Sequence, residues 1–261
     1  MVEKRKLLFL TLNYYWMDTE GFLKSTDRIA LLRTHDMLPP GEYFHRLDYK
    51  TFLIDLRRST EQLLSSLDYK SARYPINRAL KSGIAVKFAE DRPEKERFFR
   101  FYQDFIEGPG HRNQVLALQQ DELERLVVLY AVSSQGEYLG GIGLLPSPDG
   151  RYLLYKYSAT KRRFCENDLL VWQAILHAKE AGYTYFDMSW MGNVDGSDDK
   201  QRRLFQYKKK FGGELVPFYS YVKVRGVLKI PGLFFKIILK RLFKDDINNL
   251  ALLLKRTWIF R

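Results

Sequence analysis

"ENDLLVWQAILHAKEAGYTYFDMSW", residues 166–190, reads as a helix handed straight to a buried strand. Asn167 or Asp168 is the candidate N-cap, Gly182 the stop, and "YTYFDMSW" (183–190) the strand. Working outward, "DKQRRLFQYKKKFGG" (199–213) is a second helix, ended by Gly212 or Gly213, and "ELVPFYSYVKV" (214–224) a second strand. Upstream, "LVVLYAVSSQGEYLGGIGLLP" (126–146) is a hairpin of two apolar runs around a glycine-containing turn, and "GRYLLYKYSAT" (150–160) a further strand. An amphipathic helix precedes them at 92–108, with Phe98, Phe101, Tyr102 and Phe105 on one face. "QDELERLVV" (120–128) closes a short helix or leads into the hairpin. Helix, hairpin, strand, helix, strand, helix, strand is a mixed α/β order. It departs from a doubly wound sheet because three antiparallel strands come first. No Gly-rich nucleotide loop is present, and Gly140–Gly141 sit inside the hairpin, where they mark a bulge.

The first 89 residues alternate strands with a helical hairpin. "KLLFLTL" (6–12), "RIALLRT" (28–34), "TFLIDL" (51–56) and "IAVKFA" (84–89) read as strands. The charged start and short apolar run of the N-terminus fit a first strand better than a signal peptide. Ser59 with Gln62 forms a capping box that opens a helix running to about Lys70. Pro75 forces a break or kink before "INRALKSG", which Gly83 ends.

The chain has 261 residues, 46% hydrophobic and 15% aromatic, enough to bury a sizeable core and to exclude disorder. A net charge of +12 favours partners that carry phosphate: nucleic acid, nucleotide-linked substrates or an anionic membrane. Cys165 is the sole cysteine, so a disulfide framework and a cysteine zinc site are excluded and a reducing compartment fits. No run approaches the ~18 apolar residues of a membrane-spanning helix.

The wording "LLYKYSAT…NDLLVWQAILHAKEAGYTYFDMS…FQYKKKFGGELVPF" resembles the C-terminal half of the Fem family, the transferases that add amino acids to peptidoglycan bridge peptides, within the GNAT acyltransferase superfamily. Residues 54–88 resemble it too, through an "IDL" strand followed by R-x-x-I-x-x-A-x-x-x-G, here Arg73, Ile76, Ala79 and Gly83. The likeness covers roughly residues 50–220. It implies a GNAT-like fold: an abbreviated GNAT-like half over 1–89 and a complete acyltransferase domain over 90–224. It also implies acyl or aminoacyl transfer.

In that family an aromatic–lysine pair precedes the "FG" turn and places the lysine by the reaction centre or the donor. The matching pair is Tyr207–Lys208. A lysine there offsets charge on a donor phosphate or on the oxyanion formed when an amine attacks an acyl carbonyl. The alternative is a charged helix end, where cations are favoured by ~0.3–1 kcal/mol. Lys209 and Lys210 read as solvated charge. Asp187, at the end of its strand, can accept or orient a proton of the acceptor amine, or simply cap the loop that follows. Arg73 and Arg78 can grip a phosphate or carboxylate, or lie solvated on the surface. Tyr155, Tyr157 and Trp172 read as core or pocket wall. His35, His45, His111 and His177 have no metal spacing, so no metal is expected. Ser189 and Cys165 lack a nucleophile elbow, which favours direct attack on a bound donor over a covalent intermediate.

The donor stays open among aminoacyl-tRNA, acyl-CoA and acyl carrier protein. Coenzyme A pyrophosphate is ordinarily cradled by a glycine-rich turn, which would fall at "ATKRRFCENDLL"; Arg162 and Arg163 are there, the glycines are not. Residues 223–261 hold ten Lys and Arg against Asp245 and Asp246, a net +8. Within them "GLFFKIILKRLFK" (232–244) splits into a basic and an apolar face, as does a helix lying in an anionic interface, and "TWIF" (257–260) adds interfacial aromatics. A helix packed on its own core has the same periodicity. The expectation is a cytoplasmic enzyme, peripheral on the inner membrane face through 225–261, modifying an amine of a cell-envelope or lipid-linked precursor. A non-catalytic module binding RNA, membrane or an enzyme partner is the alternative.

Overall fold

The computed structural model describes residues 2–7, 10–27, 29–41, 43–108, 123–190 and 199–224. The basic tail expected over 225–261 lies outside the described residues. The elements run β1 (Val2–Leu7), β2 (Leu10–Trp16), α1 (Thr19–Lys24), β3 (Ile29–Thr34), β4 (Phe44–Asp55), α2 (Thr60–Ser66), a π-helical turn (Tyr69–Arg73), α3 (Tyr74–Lys81), β5 (Ala85–Phe88), α4 (Arg92–Glu107), β6 (Val127–Val132), β7 (Tyr138–Pro146), β8 (Tyr152–Thr160), α5 (Glu166–Glu180), β9 (Tyr185–Trp190), α6 (Asp199–Lys209) and β10 (Glu214–Val224).

The capping box forms as its spacing predicts: the Ser59 hydroxyl accepts from Gln62 N and the Gln62 side chain accepts from Ser59 N. The helix it opens stops at Ser66, short of the expected Lys70, and a π-helical turn carries the chain into α3, with Pro75 in its first turn. The expected break falls ahead of Pro75: α2 ends and the helix resumes as a π-helical turn that runs directly into α3, where the proline ring and missing N–H disfavour a regular i→i−4 turn. The apolar run expected as one strand over 6–12 belongs to two, β1 and β2.

All ten strands form one sheet in the order β1-β2-β3-β10-β4-β9-β8-β7-β6-β5. Pairing is antiparallel except for β2–β3 and β8–β9. At Gly140 the β6–β7 register shifts, the expected bulge. Its φ is +121°, and a Cβ there would stand 2.2 Å from the Ala159 carbonyl of β8, so glycine alone fits.

Helices α2, α3, α5 and α6 cover one face of the sheet. Leu169–Trp172, Ala174, Ile175 and Ala178 of α5 pack there with Ile54, Phe186, Met188 and Phe211. Each large apolar side chain so buried contributes about 1.5–3 kcal/mol. Helix α4 covers the other face, where Phe98 and Tyr102 meet Tyr152, Leu154, Tyr157 and Phe218. A smaller cluster gathers Phe22 of α1 with Tyr15, Ala30, Leu32 and Tyr221. Among the described residues no helix is long and apolar enough to cross a membrane.

Candidate active site at the strand fork

The parallel strands β8 and β9 are paired over only three rungs: Tyr152–Tyr185, Leu153–Phe186 and Leu154–Asp187. Beyond Leu154, β8 keeps its ladder with β7, and β9 keeps to β4. The two strands therefore fork at the rung after Leu154–Asp187, where Tyr155 and Met188 would have been partners.

Lys208, in the last turn of α6, stands in that fork. Its ammonium donates to the Met188 carbonyl and lies 5.8 Å from the centre of the Tyr155 ring. It is 5% exposed. Burial of the charged form pushes it down to about 7, opposed by the Asp187 carboxylate. A lysine placed this way is no solvated helix end.

Asp187 is fully buried at the last paired rung. Its neighbours Phe186 and Met188 face the helices of the first layer, so its own side chain faces the α4 side. There Oδ1 accepts from Ser189 N (2.7 Å) and lies 2.6 Å from the Thr51 hydroxyl of β4. The loop expected to be capped by it starts at residue 191, outside the described residues; the Ser189 contact lies within β9 itself. It holds Ser189 at φ +62°, where β9 shifts register against β4. Oδ2 lies 2.9 Å from His35 Nε2, and His35 Nδ1 lies 3.0 Å from the Pro217 carbonyl of β10. His35 follows β3 directly, and its ring packs between Tyr152 (5.2 Å) and Phe218 (4.8 Å). Sequence reading missed this residue; metal spacing was the wrong signal, because its partners are 152 and 182 positions away.

The other candidates are spread around this centre. Tyr207 lies against the arm of β8 that leaves the fork: its hydroxyl accepts from Asn167 Nδ2, Asn167 Oδ1 accepts from Ser158, and burial pushes the phenol well above its ordinary pKa. Arg78 is exposed on α3 near Cys165, where its charge lowers a thiol pKa that burial raises. Arg73 closes the π-helical turn with its guanidinium 5.2 Å over the Tyr69 ring, and is not brought to the fork. Lys210, expected as solvated charge, is nearly buried. It pairs with Asp168 and lies 4.2 Å over the Tyr207 ring.

Helix α5 begins differently from expectation. Its N-cap is Cys165, in the left-handed region at φ +60°, with no side-chain cap of its own. The buried Glu166 carboxylate instead accepts from Phe164 N (2.8 Å) and Arg163 N (3.3 Å). Those are backbone donors of the kind that hold a phosphate at a helix start. The chain's own carboxylate takes them here. Among the described residues no group of three His, Cys, Asp or Glu could hold a metal ion.

The mixed sheet, forked between the parallel strands β8 and β9, has the fold of Fem-like solved structures. The crystal structure of FemX superposes with a TM-score of 0.62 at 15% identity, covering 84% of this chain and 83% of FemX. L-PGS from Bacillus licheniformis gives 0.59 at 14% identity, over 93% of this chain and 85% of that one. The C-terminal domain of a putative lysylphosphatidylglycerol synthetase from Agrobacterium fabrum gives 0.58 at 15%, over 91% and 84%. No family model and no curated protein sequence matches the chain.

Proposed function

We propose that this protein is an acyl or aminoacyl transferase that moves an activated acyl group to an amine of a cell-envelope or lipid-linked precursor by direct attack. One observation carries the reading: a buried lysine poised near pH 7 in the fork, one rung from a buried carboxylate. In such a step the amine nitrogen bonds to the acyl carbon and the carbonyl oxygen becomes an oxyanion. The bond to the leaving oxygen or sulfur then breaks, and the surplus proton leaves the amine. Lys208 suits two parts of this. Charged, it stabilises the oxyanion; neutral, it takes the proton. The name of one structural neighbour, a putative lysylphosphatidylglycerol synthetase, supports aminoacyl transfer in a lipid setting.

Aminoacyl-tRNA is the donor this reading favours. Glu166 already occupies the backbone donors that coenzyme A pyrophosphate would need. Arg78 and Arg162 are exposed beside the start of α5, and Tyr69 and Tyr74 are exposed on the neighbouring turn and helix. Arginines interleaved with open aromatic rings suit the phosphates and bases of a single-stranded nucleic-acid end. On the same reading, 1–89 is the abbreviated first half of the fold, 90–224 the transfer domain, and 225–261 a tail lying on the inner face of the cytoplasmic membrane.

A transfer assay with radiolabelled donors tests this. Charged tRNA, acyl-CoA and acyl carrier protein thioesters are each offered with amine-bearing lipid-linked acceptors. Product from charged tRNA alone, lost in Lys208→Ala, supports the reading; no product from any donor overturns it. The competing reading is a non-catalytic module that binds RNA, a membrane or an enzyme partner, in which the contact of the Lys208 ammonium with the Met188 carbonyl is structural. That module would bind and transfer nothing.

A further inference from the structure

Lys208 is bracketed by two residues that α5 holds. Tyr207, just before it, has its hydroxyl on Asn167 Nδ2. Lys210, two positions after it, pairs with Asp168. Asn167 and Asp168 are consecutive in the first turn of α5. Lys210 also lies 4.2 Å over the Tyr207 ring, so the four side chains close into a ring. That ring is tied to β8 as well. Asn167 Oδ1 accepts from the Ser158 hydroxyl (2.9 Å), and the Tyr155 phenol lies against the same pair. Both ends of one amide are therefore committed, one to α6 and the other to the arm of β8 that leaves the fork. An asparagine this early in a helix commonly caps backbone N–H groups. Here the N-cap is Cys165, and the Asn167 amide serves other side chains.

We propose that Asn167 is a positioning residue for Lys208: it pins the last turn of α6 to the outer arm of β8, and so sets where in the fork the ammonium stands. The proposal rests on the reading of the fork as the reaction centre. A lysine side chain carries four rotatable bonds, so the place of its ammonium depends on how firmly its backbone is held. Phe205, one turn back, packs on Phe52 of β4 at 5.2 Å. Apolar packing of that kind is non-directional and tolerates a slide of the helix; hydrogen bonds are directional and resist it. Tyr207 is the residue through which the hold reaches Lys208, and Tyr155 is common to both: its phenol lies by Asn167, and its ring centre is 5.8 Å from the Lys208 ammonium. The amide thus joins the two walls between which the lysine stands.

The test compares Tyr207→Phe, Asn167→Leu and the double variant with wild type. The full chain is labelled with 13C at the lysine ε-carbon, and the Lys208 signal is assigned by its loss in Lys208→Arg. In wild type it is expected apart from the solvated lysines, because the Tyr155 ring is close. In each variant it should move towards them. Denaturant midpoints separate positioning from plain stability. Asn167→Leu leaves the Tyr207 hydroxyl without its partner, whereas the double variant removes both polar groups, so part of the lost midpoint should return. The Lys208 signal should not return with it, since the tether is still cut. A signal that recovers with the midpoint overturns the proposal, as does one that stays in place in Tyr207→Phe. Should Asn167→Leu fail to fold, Tyr207→Phe decides alone, because it removes a single oxygen atom. In the transfer assay each single variant should lower kcat by on the order of 10²-fold with KM little changed. The double variant should fall no further than the lower single, because both cut one tether; losses that multiply would refute the coupling. The NMR readout needs no substrate. A displaced signal in a protein that transfers nothing would sink the functional reading and leave Asn167 in its role; an unmoved signal in an active enzyme would do the reverse.

Discussion

Lys208 and Asp187 reach the same fork from opposite faces of the sheet. The ammonium comes from the layer of α5 and α6 and ends on the Met188 carbonyl, while the carboxylate points into the layer of α4 and ends on Thr51, Ser189 and His35. Neither side chain is on the surface, and the strand between them is one residue thick.

That arrangement makes Lys208 costly to the fold. Its ordinary pKa of 10.5 applies in the unfolded chain, and about 7 in the folded one. Between those values the unfolded chain binds more protons, so wild-type stability rises with pH across that window. Below about pH 7 the cost of burying the charge is present in full. Lys208→Met should therefore melt higher than wild type at pH 6, with the gain shrinking towards pH 10 while transfer is lost. Melting curves of both proteins across that range check it, and a gain that grows with pH would contradict the burial argument.

Glu166 sets the expected response to ligands. Coenzyme A should leave the wild-type melting temperature unmoved, and charged tRNA should raise it. Glu166→Ala frees Arg163 N and Phe164 N. The variant should lose about 1–3 kcal/mol and gain some stabilisation by inorganic phosphate. Thermal shifts with the three ligands read all of this; wild type stabilised by coenzyme A would revoke the donor assignment.

Arg78 is exposed and has no ion pair among the described residues. If it meets a donor phosphate, Arg78→Ala should weaken tRNA binding with no change in melting temperature. The slope of log affinity against log salt should fall by about one counterion. Binding measured at several salt concentrations checks this, and an unchanged slope removes Arg78 from the interface.

Gly140 tests the fold itself. Gly140→Ala would drive a methyl group to 2.2 Å from the Ala159 carbonyl at a φ that side chains avoid. A loss on the order of 3 kcal/mol is expected, read from denaturant midpoints. A variant as stable as wild type would mean that β7 and β8 are not paired in this register.

Much of this was legible in the chain. The helix over 166–180 and the strand at 185–190 follow from continuous apolar runs, and the Ser59–Gln62 box from a local rule. Tyr207–Lys208 was singled out by resemblance, and Lys208 does reach the fork. What sequence could not convey is pairing at long range. His35 is a lone histidine until β10 and β9 bring Pro217 and Asp187 to it. Lys210 looks like its solvated neighbour Lys209 until α5 places Asp168 beside it. The start of α5 was misread for a related reason: Asn167 is a good cap by type, yet its amide is committed to Tyr207 and Ser158, and Glu166 satisfies the loop amides instead.

The place of β10 has a bearing on biosynthesis. It lies between β3 and β4, two strands made more than 150 residues earlier. Until residues 214–224 leave the ribosome, those two strands each expose an unsatisfied edge, and His35 has no Pro217 to bind. A nascent chain paused before that point would be prone to stick to its neighbours, and the centre of the sheet would be the last part to close.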